Sequence, residues 1–221
     1  MSKIQLTKPT LIMLYGYPGA GKTHFARQLC ETISAAHIQS DRIRGELFEA
    51  PRYDKRENEI VMHLMDYMAE EFLNSGISVV YDVNAMRVGQ RRALRDFARK
   101  AKAVHVLIWL QIDQGSAIQR IVKRDRRKMD DKYAAAYTKK EFQEYISGMQ
   151  NPAQTEDYIV ISGKHTFNTQ RNAVLKRLYE LGMISAESIT SSVVKPELVN
   201  LIPKNPAAGR VDMSRRNIVI R

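Results

Sequence analysis

Eight consecutive residues, Gly16-Tyr17-Pro18-Gly19-Ala20-Gly21-Lys22-Thr23, carry the clearest chemistry in the chain. They match G-x-x-x-x-G-K-[ST] at every position, directly after the apolar run Leu11 to Tyr15 and at the start of a helical pattern. Gly16, Gly19 and Gly21 allow the backbone to curl so that successive N–H groups converge on phosphate oxygens. Lys22 is suited to the β- and γ-phosphates and the Thr23 hydroxyl to Mg²⁺, while the helix N-terminus adds its positive dipole.

Three further constellations decide what such a phosphate cradle could be for. Ser40-Asp-Arg-Ile-Arg44 closes a short strand. There Asp41 could take a proton from a hydroxyl and Arg44 could hold an anionic group of the same molecule. Helix capping by Asp41 is the competing explanation. Val79-Val-Tyr-Asp-Val-Asn84 ends a second strand with Asp82, placed for a Mg²⁺-side or substrate-holding carboxylate; a turn-forming role is the alternative. Asn84 and Arg87 follow it as candidate substrate contacts. In Arg120-Ile-Val-Lys-Arg-Asp-Arg-Arg127, Arg120 and Arg124 are four apart on an expected helix, with Arg127 close by. Such arginines could close over a transferring phosphoryl group and exclude water, although a solvated basic face would give the same pattern.

Other chemistries find little support. The five histidines show no His-Glu-x-x-His spacing, and no Gly-x-Ser-x-Gly elbow occurs. The single cysteine, Cys30, permits neither an internal disulfide nor a cysteine zinc cluster. No Asn-Lys-x-Asp guanine motif and no Leu-Ser-Gly-Gly-Gln signature is present. Neither a signal-peptide core at the start nor an apolar run of membrane-spanning length appears, so a cytoplasmic protein without a membrane partner is expected.

The elements that must position these residues follow from periodicity. Strands are expected at Leu11–Tyr15, His37–Ser40, Ile77–Asp82, Val104–Ile112 and Tyr158–Ile161. Helices are expected from Gly21 to about Ser34, Asp41 to Phe48, Asp54 to Asn74, Gly89 to Lys102, Gln114 to Arg127 and Asn168 to Leu181, with a largely helical, tyrosine-rich stretch over 128–150. On the helix from Gly89, Ala93, Leu94, Phe97, Ala98 and Ala101 are expected to face inward. Strands alternating with helices predict an α/β three-layer sandwich around a central parallel sheet. The chain of 221 residues thus divides into a domain over 1–185, with a lid at about 120–150, and a C-terminal extension over 186–221. That extension, with Pro196, Pro203 and Pro206, reads as an extended strap through which the chain could form an oligomer. The net charge of +11 is concentrated: residues 87–128 hold thirteen Lys/Arg against three Asp/Glu. A field of that kind attracts phosphates.

The P-loop, Asp41-x-x-Arg44, strand-end Asp82 and arginines 120 and 124, in this order, resemble the polynucleotide kinase-like and zeta toxin-like group of P-loop kinases, AAA-type ATP-binding proteins. The resemblance covers roughly residues 10–182. It implies a P-loop NTPase fold with an arginine lid, ATP and Mg²⁺ as ligands, Asp41 as general base and Asp82 near the acceptor. It further implies that Ile161–Gln170 is the loop that holds adenine. The activity implied is phosphate transfer from ATP to a hydroxyl. A zeta-like toxin kinase and a polynucleotide 5′-kinase are variants of that activity, and a small-molecule acceptor is favoured over nucleic acid. For nucleic acid speak Arg92, Arg95, Arg99 and Lys102 at helical spacing, and Tyr133 and Tyr137 as stacking platforms. A solvated helix face and aromatics packed under the lid are the competing explanations. The rival class is an ATP-binding, slowly hydrolysing switch or scaffold without an acceptor.

Overall fold

Right-handed crossovers between parallel strands sort the helices onto two faces of one sheet. β1 (Thr10–Tyr15), β2 (Ala35–Gln39), β3 (Ser78–Asn84), β4 (Val104–Gln111) and β5 (Tyr158–Ser162) form a five-stranded sheet in the order β2-β3-β1-β4-β5, parallel throughout. The computed structural model describes residues 3–124, 132–135 and 137–185. Between the strands run α1 (Lys22–Thr32), α2 (Ser40–Leu47), α3 (Lys55–Asn74), α4 (Val88–Lys100), α5 (Gln114–Val122) and α6 (Lys139–Ser147); α7 (Phe167–Glu180) follows β5. The arrangement is the α/β sandwich of the P-loop NTPases.

All six residues of β1 are buried, as a central strand covered on both faces requires. Leu11, Met13 and Tyr15 pack with Val61, Met65, Ala69 and Leu73 of α3 and with Leu94 and Ala98 of α4. Strand alternation sends Ile12 and Leu14 to the opposite face. There α1, with Phe25, Ala26 and Leu29 buried, touches β2, β3 and α7. Pairing between β1 and β3 shifts after Met13, which faces Tyr81, because Leu14 next faces Asn84. Asp82 and Val83 are thereby freed from the β1 ladder, and Asp82 pairs with Gln39 of β2 instead.

Several expectations change. α5 ends at Val122, with Lys123 as its C-cap, so Arg124 lies beyond the helix rather than one turn along it from Arg120. Arg127 and the extension 186–221 lie outside the described residues. Among the described residues of the tyrosine-rich stretch, helix is confined to α6, which Thr138 and Glu141 start with a reciprocal capping box; Tyr133 sits in a turn. On α4, Leu94 and Ala98 are buried as expected, but Ala93 is exposed and Arg91 is buried as well, because the helix turns that side chain toward Glu156. No helix among the described residues is long and apolar enough to cross a membrane.

Candidate active site

The carboxyl ends of β1, β2 and β3 open into a cleft of about 1380 Å³. Its floor is the loop between β1 and α1. Gly19 has φ +82°, and a Cβ there would meet the Ala117 carbonyl oxygen at 2.5 Å, so no other residue fits. Gly21, also with positive φ, serves as N-cap of α1, and the open helix end faces the cleft. Pro18 to Thr23 line the space, whereas Gly16 and Tyr17 lie behind the loop. The Lys22 ammonium donates to the carbonyls of Gly16 (2.8 Å) and Tyr17 (3.0 Å). Burial pushes its pKa down to about 8, countered by Asp82 and Asp41 and reinforced by Arg124.

Asp41, Arg44, Asp82, Asn84, Arg120 and Arg124 line the same cleft. Asp41 does not cap α2: the N-cap is Gln39, without a side-chain bond, and Asp41 lies in the first turn. Among the described residues nothing donates a hydrogen bond to its carboxylate. Burial, then Asp82, raises its pKa, opposed by Arg124, Lys22 and Arg44. Asp82 is held by His37 Nε2 at 3.0 Å through Oδ2 alone. Asn84 accepts from the Gly16 amide at 3.2 Å and donates to the Tyr145 hydroxyl at 3.1 Å, joining the P-loop to α6.

Arg44 is less available than its motif suggests. NH1 bonds Glu57 (3.1 Å), NH2 bonds Asn58 (2.5 Å), and the Tyr53 ring lies 4.7 Å from the guanidinium carbon. Both terminal nitrogens are therefore committed within the protein, while Nε is buried without a hydrogen-bond partner among the described residues. Arg87, like Gly16 and Tyr17, does not line this cleft: it is exposed, as N-cap of α4.

The far wall comes from β4, β5 and their loops. Arg120 donates to the Gly163 carbonyl at 2.8 Å, and Lys164 bridges to Asp113 at 2.6 Å. Gly163 sits so close that a Cβ would meet the Ala20 carbonyl at 2.8 Å, bringing the loop after β5 against the P-loop. Arg124 donates to the Ala135 carbonyl at 2.7 Å. The tyrosines split: Tyr133 packs on Gly45 and donates to Glu46, whereas Tyr137 lines the cleft, edge-on to Tyr145. Arg95 is tied to Glu156 and Arg99 to Asp96, so two members of the supposed nucleic-acid track are ion-paired.

Tyr53, Glu57 and Tyr145 were not singled out from the sequence. Asp54-x-x-Glu57 has capping-box spacing, and that signal could have found Glu57. Its carboxylate reaches back to the amides of Arg52 and Tyr53. Oxygen ligands suitable for Mg²⁺, the Thr23 hydroxyl and the Asp82 carboxylate, belong to one cleft. Among the described residues no group of three His, Cys, Asp or Glu side chains could hold a metal unaided. A hydroxyl and one carboxylate suit an ion that takes its remaining ligands from phosphates and water.

Solved structures share the fold. The Mycobacterium tuberculosis APS kinase CysC, in complex with AMPPNP and APS, aligns with a TM-score of 0.58 at 18% identity, over 78% of this chain and 98% of that one. A gluconokinase from Sinorhizobium meliloti 1021 gives 0.56 at 16%, over 78% and 93%. Chaetomium thermophilum Kti12, in complex with ADP-AlF3, gives 0.60 at 15%, over 80% and 100%. No curated protein matches the sequence. A family model described as AAA domain does match, over residues 11–152, which is more than half the chain and spans the P-loop, β2, β3 and α5; the protein belongs to this AAA domain family.

Proposed function

We propose that the protein is an ATP-dependent phosphotransferase that moves the γ-phosphate to a hydroxyl. One observation carries this reading: Asp41 lines the P-loop cleft with a raised pKa and no hydrogen-bond donor among the described residues. A switch or scaffold has no use for a base there, whereas a hydroxyl acceptor needs one. The fold shared with APS kinase and gluconokinase supports the same class. The narrower likeness, to polynucleotide kinases and zeta toxins, belongs to this reading and rests on Asp41, Asp82, Arg120 and Arg124.

In the step itself, the acceptor oxygen attacks Pγ and its proton passes to the Asp41 carboxylate. The O–Pγ bond forms as the bond from Pγ to the β,γ-bridging oxygen breaks, and ADP leaves. Lys22 and the P-loop amides hold the phosphates, and Arg120 and Arg124 stand at the transferring group as negative charge spreads over it. Thr23 and Asp82 would hold Mg²⁺, which neutralises charge between the β- and γ-phosphates when bound.

The test is transfer from γ-labelled ATP to pooled hydroxyl compounds. Asp41→Asn is expected to cost roughly 10²–10⁴-fold in transfer, with ATP affinity nearly unchanged. A large loss of ATP binding would assign Asp41 to the nucleotide instead. Lys22→Ala should lose transfer, and full activity in that variant would sink the reading.

A further inference from the structure

We infer that the acceptor is an uncharged, polyhydroxylated ring compound, a sugar or nucleoside bearing neither phosphate nor carboxylate. The inference rests on the phosphotransferase reading above and concerns the other end of the same cleft.

The two ends differ in charge. Around the P-loop the cleft is lined by Lys22, Arg120, Lys123, Arg124 and Lys164, a setting for the phosphates of ATP. Around Asp41 the lining cations among the described residues are Arg124 and Lys22, which the reading above commits to the transferring phosphoryl group, and Arg44 and Arg52, which are neutralised locally. Arg44 is ion-paired with Glu57, and Arg52 with Asp54 and Glu57. Glu57 is itself 2% exposed and also accepts from the Arg52 and Tyr53 amides, so it is locked in place beneath Arg44. Asp41 adds negative charge to this end. An acceptor phosphate would have to compete with the γ-phosphate for Arg124 and Lys22 or draw Arg44 away from a buried carboxylate, and either is unfavourable.

What this end presents is aromatic. Tyr53, Tyr137 and Tyr145 line it with Val61 and Met62. Tyr137 and Tyr145 lie within reach of the Asp41 charge, and burial raises both phenols, which stay neutral hydrogen-bonding groups. Tyr53 adopts φ 58°, a left-handed conformation shared among described non-glycine residues only with Lys102. Such a conformation persists only where its surroundings impose it. Here the Glu57 carboxylate grips the Tyr53 amide at 2.8 Å, and the Arg44 guanidinium underlies the ring. Faces of this kind pack against the C–H side of a sugar ring or the plane of a base. Their hydroxyls meet the ring's own, and one acceptor hydroxyl is left for Asp41.

The experiment offers γ-labelled ATP three acceptor sets: a pool of uncharged sugars and nucleosides, the same compounds as phosphates or carboxylates, and a 5′-hydroxyl oligonucleotide. Label in the uncharged pool at least about tenfold above the other sets is expected, the discrimination that about 1.4 kcal/mol provides. Preference for the anionic pool or the oligonucleotide overturns the inference and leaves the phosphotransferase reading standing. Label in no set, with ATP still bound, brings down both. Tyr53→Gly supplies a second readout, since glycine relieves the positive φ and the fold should melt no lower. Its expected effect is an acceptor KM raised about tenfold with KM for ATP unchanged. An unchanged acceptor KM would remove Tyr53 from the acceptor wall and overturn the inference.

Discussion

Arg91 and Glu156, 65 residues apart, form a bidentate buried pair, Nε to Oε2 at 2.9 Å and NH2 to Oε1 at 2.8 Å. The same guanidinium donates to the carbonyls of Ala85 and Gln150, both at 2.9 Å, and Arg95 adds a third donor to the carboxylate. The strand end that carries Asp82 and Asn84 is thus tied to the segment after α6.

Glu156→Ala should therefore lower unfolding free energy by about 3–5 kcal/mol, because it strands a fully buried guanidinium. The hydrogen bond from Arg91, against the opposing effect of burial and with help from Arg95, holds the Glu156 carboxyl at about 2, below its ordinary 4.5. Its contribution is present above about 4.5 and is lost as pH falls toward about 2. Denaturant titrations at several acidic pH values would read this slope, and in Glu156→Gln the contribution should be absent. A wild-type-like midpoint in the alanine variant would refute the tie.

The hydrogen bonds from Gly16 to Asn84 and from Asn84 to Tyr145 lead to a second prediction. Asn84→Ala removes both and frees the P-loop from α6, so ATP affinity should fall about 5–30-fold, equivalent to about 1–2 kcal/mol. Tyr145→Phe keeps the Asn84 acceptor for the Gly16 amide and loses only the hydroxyl to which the Asn84 amide donates. Its loss should be the smaller in calorimetric titration with ATP. Equal losses in the two variants would mean that the bond to Gly16 contributes nothing.

Sequence and structure agree where one local rule decides. The run Leu11–Tyr15 is a strand because an uninterrupted apolar segment suits a position covered on both faces, and the glycine spacing fixes the turn that follows. Asp41 and Asp82 are legible as strand-end residues of a parallel sheet. Long-range partnership is not legible. Arg91 looks like any other member of a basic run until β5 and its preceding loop bring Glu156 to it. Arg44 reads as an anion holder because nothing local announces that Glu57, on the next helix, has already neutralised it. Tyr53 carries no signal at all, since its left-handed backbone is imposed by a carboxylate four residues downstream.

Lys22 supplies a pH dependence with opposite signs in two measurements. Burial holds its ammonium at about 8 against an ordinary 10.5, so the proton leaves where a free lysine would keep it. Phosphates bind the protonated form, so ATP affinity should fall by up to about tenfold per pH unit above about 8, until the pKa of the complex is passed. Stability of the protein without nucleotide should rise over the same interval, because the unfolded chain then binds more protons than the folded one. Transfer has an acid limb as well, set by the raised carboxyl of Asp41, which must be ionised to accept the hydroxyl proton. ATP titrations and melting curves from pH 7 to 10 would test the pair of slopes. Lys22→Arg should flatten both, since a guanidinium keeps its proton throughout this range. Parallel slopes in the wild type, or a dependence that survives in Lys22→Arg, would assign the titration to another group.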